Sequence, residues 1–318
     1  MLLRRRVLDR VLEDFYAHIE EDGNARQLAE TLGAGRDDRA LEALVLDLHE
    51  KTQSHPHPLR WLEQQRQGWE VTPQELADTG CGRYLMEDAL RRADFWALRL
   101  TRAAEDMADY PAVYKAYGDR FLEVAQGLEA LRDKAAGGWD SLAQGVPSFR
   151  RMGVAKGEEN AACRERAKAV LEQAKKALKD IQAIFSVPEA ELLEDLRQMA
   201  PAMLALLRLT AQFTLHYQAE KVRRNVMDFS DQEHYAIDLL TDGQGRPTEL
   251  AKQVSSRYRE VMVDEYQDSN QVQNCIFRAL SGEERRLFAV GDVKQSIYRF
   301  RLADPTIFLE KYLSYRPA

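Results

Sequence analysis

The chain has 318 residues, 45% of them hydrophobic and 31% charged, which is enough apolar material for a sizeable core and enough length for two domains. Fifty-two acidic residues against 45 basic ones give a formal charge of -7. That excludes a chain coated in positive charge, although a local basic groove remains open because phosphate contacts depend on where Lys and Arg cluster.

Cys81, Cys163 and Cys275 lie far apart with no CxxC spacing, so neither a metal knuckle nor a disulfide framework is indicated, and a reducing cytoplasm suits them. The opening MLLRRRVLDRVLEDFY carries charges inside its first turns and lacks a long apolar region, which reads as an amphipathic helix and not a secretion signal. No apolar run approaches the span of a bilayer, so no membrane partner is expected.

Up to about residue 225 the pattern is helical. LEALVLDLHEK, GRYLMEDALRRADFWALRL, YKAYGDRFLEVAQGLEALRDKA and the long AELLEDLRQMAPAMLALLRLTAQFTLHYQAEKVRRN all carry it. In RERAKAVLEQAKKALKDIQAIF, Ala167, Leu171, Ala174, Leu178, Ile181 and Phe185 recur at alternating spacings of four and three, a stripe that must face something apolar. Between residues 164 and 180 the same helix carries six basic residues against three acidic ones, which reads either as a solvated outer face, the commoner case, or as a ridge that contacts phosphates. His55 and His57 flank Pro56 with no Cys or further His nearby, so a helix-breaking turn is expected there and not a metal site. Residues 136 to 160, with five glycines and Pro147, have the composition of a mobile surface loop.

After about residue 226 the pattern changes. In MDFSDQEHYAIDLL, Ser230 followed by Glu233 predicts a capping box at a helix start. A turn-rich TDGQGRPT comes next. RYREVMVDE then reads as a short buried strand, NQVQNCIFRAL as a helix with Val272, Ile276 and Leu280 on one side, RRLFAVGD as a second buried strand and DPTIFLEKYLSY as a helix. That alternation is the signature of a parallel α/β sheet. The expected fold is therefore mostly α: a large helical domain over 1–225, then a partial α/β domain over 226–318 with few parallel strands.

Ligands of parallel α/β sheets bind at the carboxyl ends of the strands, and both strands here end in acid: Asp264-Glu265 after Val263, and Gly291-Asp292 after Val290. An apolar strand ending in Asp-Glu is the form in which nucleotide hydrolases hold Mg²⁺ with the Asp and polarise water with the Glu. The tripeptide alone is common, and an equally simple reading has Asp264 and Glu265 capping the next helix. YRFR interleaves aromatic rings with guanidinium groups, a pattern that suits stacking of single-stranded bases as well as plain core packing.

The longer strings carry a resemblance. VDEYQDSNQVQ followed by VGDVKQSIYRFR resembles the second and third motifs of superfamily 1 DNA helicases of the UvrD type. Within that group NVMDFSDQEHYAIDLL, VMVDEYQDSN and GDVKQSIYRFRLADPTIF are similar to the AddA family, the A subunits of bacterial ATP-dependent helicase/nucleases. MLLRRRVLDRVLEDFY, SHPHPLRWLEQQ and the Lys-rich helix share the resemblance more loosely, with the helical insertion called domain 1B. The resemblance implies that residues 1–225 are 1B-like and that 226–318 are part of a RecA-like motor domain.

It also implies roles. Asp264 would hold Mg²⁺ and Glu265 would activate the attacking water. Gln267 and Asp268 would hold the strand end and connect it to neighbouring motifs. Gln295 would sense the γ-phosphate with Asp292 beside it, and Tyr298, Phe300 and Arg301 would face single-stranded DNA. ATP and Mg²⁺ are the implied cofactors of a longer parent chain. Its implied partners are DNA, single-stranded in the motor groove and duplex at the ends, and a partner helicase/nuclease subunit of the B type.

The phosphate-cradling GxxxxGK[ST] is absent from the 318 residues, and GVAKGEEN near residue 153 has the wrong spacing. The expectation is thus a cytoplasmic fragment of a DNA-end helicase/exonuclease of recombinational repair that binds no nucleotide and hydrolyses none by itself, with an exposed sheet edge open to self-association. A stand-alone helical protein that binds DNA or a partner, with a non-catalytic motor remnant, is the alternative. A non-helicase NTPase would leave the aromatic third motif unexplained.

Overall fold

The computed structural model describes residues 2–32, 39–155, 157, 160–296 and 303–314. In chain order the helices are α1 (Leu2–Ala17), α2 (Gly23–Thr31), α3 (Arg39–Thr52), α4 (Pro58–Glu70), α5 (Gly80–Glu105), a helical turn α6 (Pro111–Val113), α7 (Asp119–Glu129), α8 (Leu131–Ala135), α9 (Gly138–Gly145), α10 (Ala161–Ile184) and α11 (Glu189–Arg223). After them come α12 (Phe229–Leu240), α13 (Glu249–Ser255), strand β1 (Val261–Val263), α14 (Gln271–Leu280), strand β2 (Leu287–Ala289) and α15 (Pro305–Ser314). The mostly α fold with a small parallel sheet is as the sequence predicts.

Two compact units divide the chain: residues 72–199 form one, and residues 1–71 with 200–318 form the other. The change of motif content at residue 225 is not one of these breaks of compactness.

The 72–199 unit is built on α5. Met86, Ala89, Ala93, Ala97, Leu100 and Ala104 fall on one side of that helix at spacings of three and four, and all are buried. Against it pack α7, through Phe121, Val124, Ala125 and Leu128, and α10, whose predicted stripe from Ala167 to Ile181 is buried at every position, as is Phe185 beyond it. Alanines on α5 let neighbouring backbones come close, while each buried Leu or Ile of the α10 stripe contributes roughly 1.5–3 kcal/mol. The segment 136–160 departs from the loop expectation, because α9 forms inside it. Trp139 is 2% exposed there, donates its indole N–H to the Val187 carbonyl at 2.9 Å and meets the Phe185 ring edge-on. Burial of an indole with a satisfied N–H outweighs the local preference of the surrounding glycines.

In the other unit the apolar sides of α1 and α3 close on α11, with Val7, Leu8, Val11, Leu12, Leu41 and Val45 packed beside Ala205, Leu209 and Phe213. Between α3 and α4 the HPHP segment is a turn, with Pro58 in the first helical turn of α4. Helix α12 starts two residues ahead of expectation. Its cap is Asp228, whose side chain accepts from the Asp231 backbone N–H, while Asp231 accepts from the Asp228 N–H. Ser230 and Glu233 both lie inside the helix. The reason is tertiary: the Nζ of Lys221, a residue only 7% exposed, reaches Asp228 at 2.9 Å and Asp231 at 2.6 Å.

Strands β1 and β2 pair in parallel, Val261 beside Leu287, Met262 beside Phe288 and Val263 beside Ala289. Their burial corrects the reading of two buried strands. Met262 is 70% and Phe288 58% exposed, so one face of the ribbon stands uncovered. Among the described residues no helix is long and apolar enough to cross a membrane.

Candidate functional site

The ladder between β1 and β2 continues past the strands. Val290 N–H donates to the Val263 carbonyl at 2.9 Å and Tyr266 N–H to the Val290 carbonyl at 2.8 Å, which holds the two acidic strand ends side by side. A side chain at Gly291 is impossible without movement: a Cβ there would lie 2.5 Å from the Gln267 Oε1 and 3.3 Å from two backbone nitrogens. The glycine thus lets one loop lie against the other.

Gln267, only 1% exposed, occupies the space between them. Its Oε1 accepts the Asp292 backbone N–H at 2.9 Å, and its Nε2 donates to Glu265 Oε2 at 2.6 Å. One buried amide therefore connects the DEYQD segment to the GD that ends β2. Glu265 itself sits in the left-handed region at φ 49°, an uncommon conformation for a non-glycine residue. Asp264 Oδ1 accepts the Glu265 N–H at 2.9 Å, and both residues are exposed. The cap of α14 is supplied by Asn270, which accepts the Gln273 N–H at 2.9 Å, so the helix-capping reading of Asp264 and Glu265 does not hold.

Asp292 accepts from the Lys294 N–H and from Gln295 Nε2, each at 3.0 Å. Those two donors, Gln295 first, hold its carboxyl below the usual carboxylate range. Among the described residues, the buried Asp268 Oδ1 and Ser296 hydroxyl have no hydrogen-bond partner. Tyr266 is fully buried, its hydroxyl donating to Asn274 Oδ1 at 2.6 Å, and it fixes the loop to α14.

The structure thus brings Asp264, Glu265, Gln267, Asp268, Asp292 and Gln295 to one end of the two-stranded ribbon. Tyr298, Phe300 and Arg301 lie outside the described residues. For Mg²⁺, the exposed Asp264 carboxylate suits an ion that takes one or two protein oxygens and fills its remaining positions with phosphate and water. A dedicated metal cage is absent among the described residues.

Two further groups of residues carry structure that has no local signal in the sequence. Gln273 Nε2 donates to Glu233 at 3.0 Å, and His55 and Gln271 meet at 3.1 Å, so α12 and the HPHP turn both hold the first turn of α14 directly behind the acidic loop. A cavity of about 210 Å³ opens between α3, the HPHP turn, α11 and α12, lined by His49, Tyr217, Lys221, Asp231 and His234 among others. His49 and Thr214 meet there at 2.8 Å across 165 residues of chain.

The two acidic strand ends are thus tied through a buried glutamine on a parallel ribbon. Residues 85–316 match the UvrD/REP helicase N-terminal domain family, and the chain belongs to that family. It is 33% identical to the A subunit of the ATP-dependent helicase/nuclease of Ruminiclostridium cellulolyticum, over 99% of this chain and 26% of that protein. The protein of the same name from Lachnoclostridium phytofermentans is 34% identical over 99% of this chain and 24% of its own length. That of Moorella thermoacetica is 37% identical over 99% and 23%. The chain spans about a quarter of the length of the curated relatives it matches.

Proposed function

We propose that these 318 residues supply the metal and water side of an ATP site in a DNA helicase/exonuclease that works with a partner helicase/nuclease subunit on double-strand ends in recombinational repair, in the cytoplasm. The observation that carries this reading is the bridge from Glu265 through Gln267 to the Asp292 amide, which ties the two acidic strand ends into one unit. Asp264 would hold Mg²⁺, which would supply the positive charge that nucleotide phosphates need. Glu265 takes the proton of the attacking water, and Gln295, hydrogen-bonded to Asp292, reports the γ-phosphate. Tyr298, Phe300 and Arg301 meet single-stranded DNA. The relatives are each named as one subunit of an ATP-dependent helicase/nuclease, which supports both the substrate and the existence of a partner subunit.

Because GxxxxGK[ST] does not occur in the sequence, the amides and the Lys that cradle β- and γ-phosphates come from residues other than these. The purified 318-residue chain is therefore expected to hydrolyse no ATP beyond a Glu265→Gln control. Hydrolysis by the unchanged chain that disappears in Glu265→Gln would overturn the division of the site. In a longer protein that does hydrolyse ATP, Glu265→Gln is expected to slow turnover roughly 10²- to 10⁴-fold, the usual contribution of a positioned base. Tyr298→Ala is expected to weaken binding of single-stranded DNA; equal binding by both proteins would remove Tyr298 from the DNA path.

A further inference from the structure

Glu265 has a backbone conformation that its surroundings must maintain. A non-glycine residue at φ 49° stays there only where neighbouring structure holds it. The Asp268 N–H donates to the Glu265 carbonyl at 2.9 Å and the Ser269 N–H to that of Tyr266 at 3.1 Å, so residues 265–269 turn as one tight unit. That unit runs directly into α14, to which the Tyr266 hydroxyl is fixed through Asn274. The placement of Glu265 therefore follows the placement of the first turn of α14.

Three hydrogen bonds locate that turn and close a ring through three segments. Gln273 Nε2 donates to Glu233 Oε1 at 3.0 Å, which links α14 to α12. His234, next along α12, meets the His55 carbonyl through Nε2 at 3.0 Å; a carbonyl only accepts, so the imidazole donates and links α12 to the HPHP turn. His55 in turn donates from Nδ1 to Gln271 Oε1 at 3.1 Å, which brings the ring back to α14. Its imidazole is stacked on Trp61, with ring centres 4.9 Å apart. The His55 to Gln271 bond lies at the surface, whereas the two made by α12 are partly buried, so α12 supplies the firmer hold. Gln273 also accepts the Asn270 N–H at 3.4 Å, so the amide that meets Glu233 is part of the cap of α14. Glu233 is available for this contact because Asp228 and Asp231 already cap α12.

The apolar cluster shared by the two helices lies further along them, where Ala236 and Leu240 pack with Ile276, Ala279 and Leu280. Such contacts are non-directional, and hydrogen bonds supply a defined direction and distance at the end beside Glu265. We propose that Glu233 and His234 are positioning residues for Glu265, setting the first turn of α14 and with it the acidic loop. The consequence for turnover rests on Glu265 being the base named above; the effect on the loop does not.

The test uses the full 318-residue chain with Glu233→Ala and His234→Ala, which remove the bonds, and Glu233→Gln and His234→Gln, which keep an acceptor and a donor at similar reach. Amide hydrogen exchange is read at Asp268 and Ser269, together with the NMR signal of the Gln267 side-chain amide, which is bonded to Glu265. Exchange is expected to quicken roughly tenfold in each Ala variant and to return to within about twofold in each Gln variant, with α5 and α12 protected throughout. The Gln267 signal should move in the Ala variants and recover in the Gln variants. In a longer protein that hydrolyses ATP, Glu233→Ala should lower kcat with KM for ATP unchanged, and Glu233→Gln should restore it. Unchanged exchange and an unmoved Gln267 signal in both Ala variants would overturn the proposal, as would Gln variants no better than the Ala ones. So would an unchanged kcat in Glu233→Ala where Glu265→Gln is slow. Normal turnover in Glu265→Gln would instead remove the base and leave the loop measurements standing, so the two readings fail separately.

Discussion

Gln267 and Asp292 stand on loops that leave different strands, and the Asp292 backbone N–H donates to the Gln267 side-chain oxygen at 2.9 Å. Gln267 is buried while its partners Glu265 and Asp292 are exposed, so its loss removes two hydrogen bonds whose partners water can reach. Gln267→Ala is expected to destabilise the segment that carries the ribbon by about 1 kcal/mol, the usual net worth of such hydrogen bonds. Hydrogen exchange should quicken at the Asp292 amide and leave the α5 core unchanged. Gly291→Ala should destabilise similarly, since its Cβ would lie 2.5 Å from Gln267 Oε1. The double variant should cost less than the sum of the two, and a strictly additive cycle would show that the two residues do not share one contact.

Lys221 joins the end of α11 to the start of α12. Burial opposes its charge, but the hydrogen bonds to Asp231 and Asp228 outweigh that and leave its pKa above the ordinary 10.5. Burial likewise opposes the charge of Asp228, and the Lys221 ammonium prevails, holding its carboxyl below 3.8. The signs follow. The Asp228 contribution is present above 3.8 and is lost as pH falls through its lower folded value, while that of Lys221 is present below 10.5 and is lost as pH rises through its higher one. Lys221→Met should cost about 3 kcal/mol or more, because it leaves buried Asp231 without its cation. Denaturant midpoints measured from pH 3 to 11 check both the loss and the disappearance of the alkaline limb.

His49 predicts a second pH effect with the opposite origin. Burial first, then the charges of Arg4 and Lys221, lower its pKa to about 4 from 6.5. Thr214 already donates its hydroxyl to the Thr210 carbonyl, so the imidazole donates from Nδ1 to Thr214 and stays neutral in the fold. A histidine that is protonated only when unfolded makes stability fall as pH drops from about 6.5 to about 4, by a few kcal/mol at most. In His49→Gln that slope should flatten. An NMR titration in which the His49 imidazole protonates near pH 6.5 would contradict the buried neutral form.

The sequence shows the helices and the order of the strands because those depend on spacing along the chain. The stripe from Ala167 to Phe185 is the clearest instance, buried as read. Where a distant residue decides, the sequence misleads. Ser230 has the spacing of a cap, but Lys221, seven residues before Asp228, sets the start of α12. Glycines hide α9, whose stability comes from Trp139 reaching Val187 across the unit. The acidic strand ends are legible as motifs, whereas their connection through Gln267 becomes visible only once Gly291 is seen lying against it.

Met262 and Phe288 are neighbours in register on the uncovered face of the ribbon. Burying either side chain against another surface would gain roughly 1.5–3 kcal/mol, and among the described residues no further strand pairs with β1 or β2. The 318-residue chain is therefore expected to self-associate as its concentration rises. Sedimentation velocity should show a larger species for the unchanged chain and a monomer for Met262→Lys with Phe288→Glu. Both substitutions are at exposed positions, so stability should change by no more than about 0.5 kcal/mol. A monomer at every concentration in the unchanged chain would show that the open face does not drive association, and an oligomer that survives the double substitution would place the contact elsewhere.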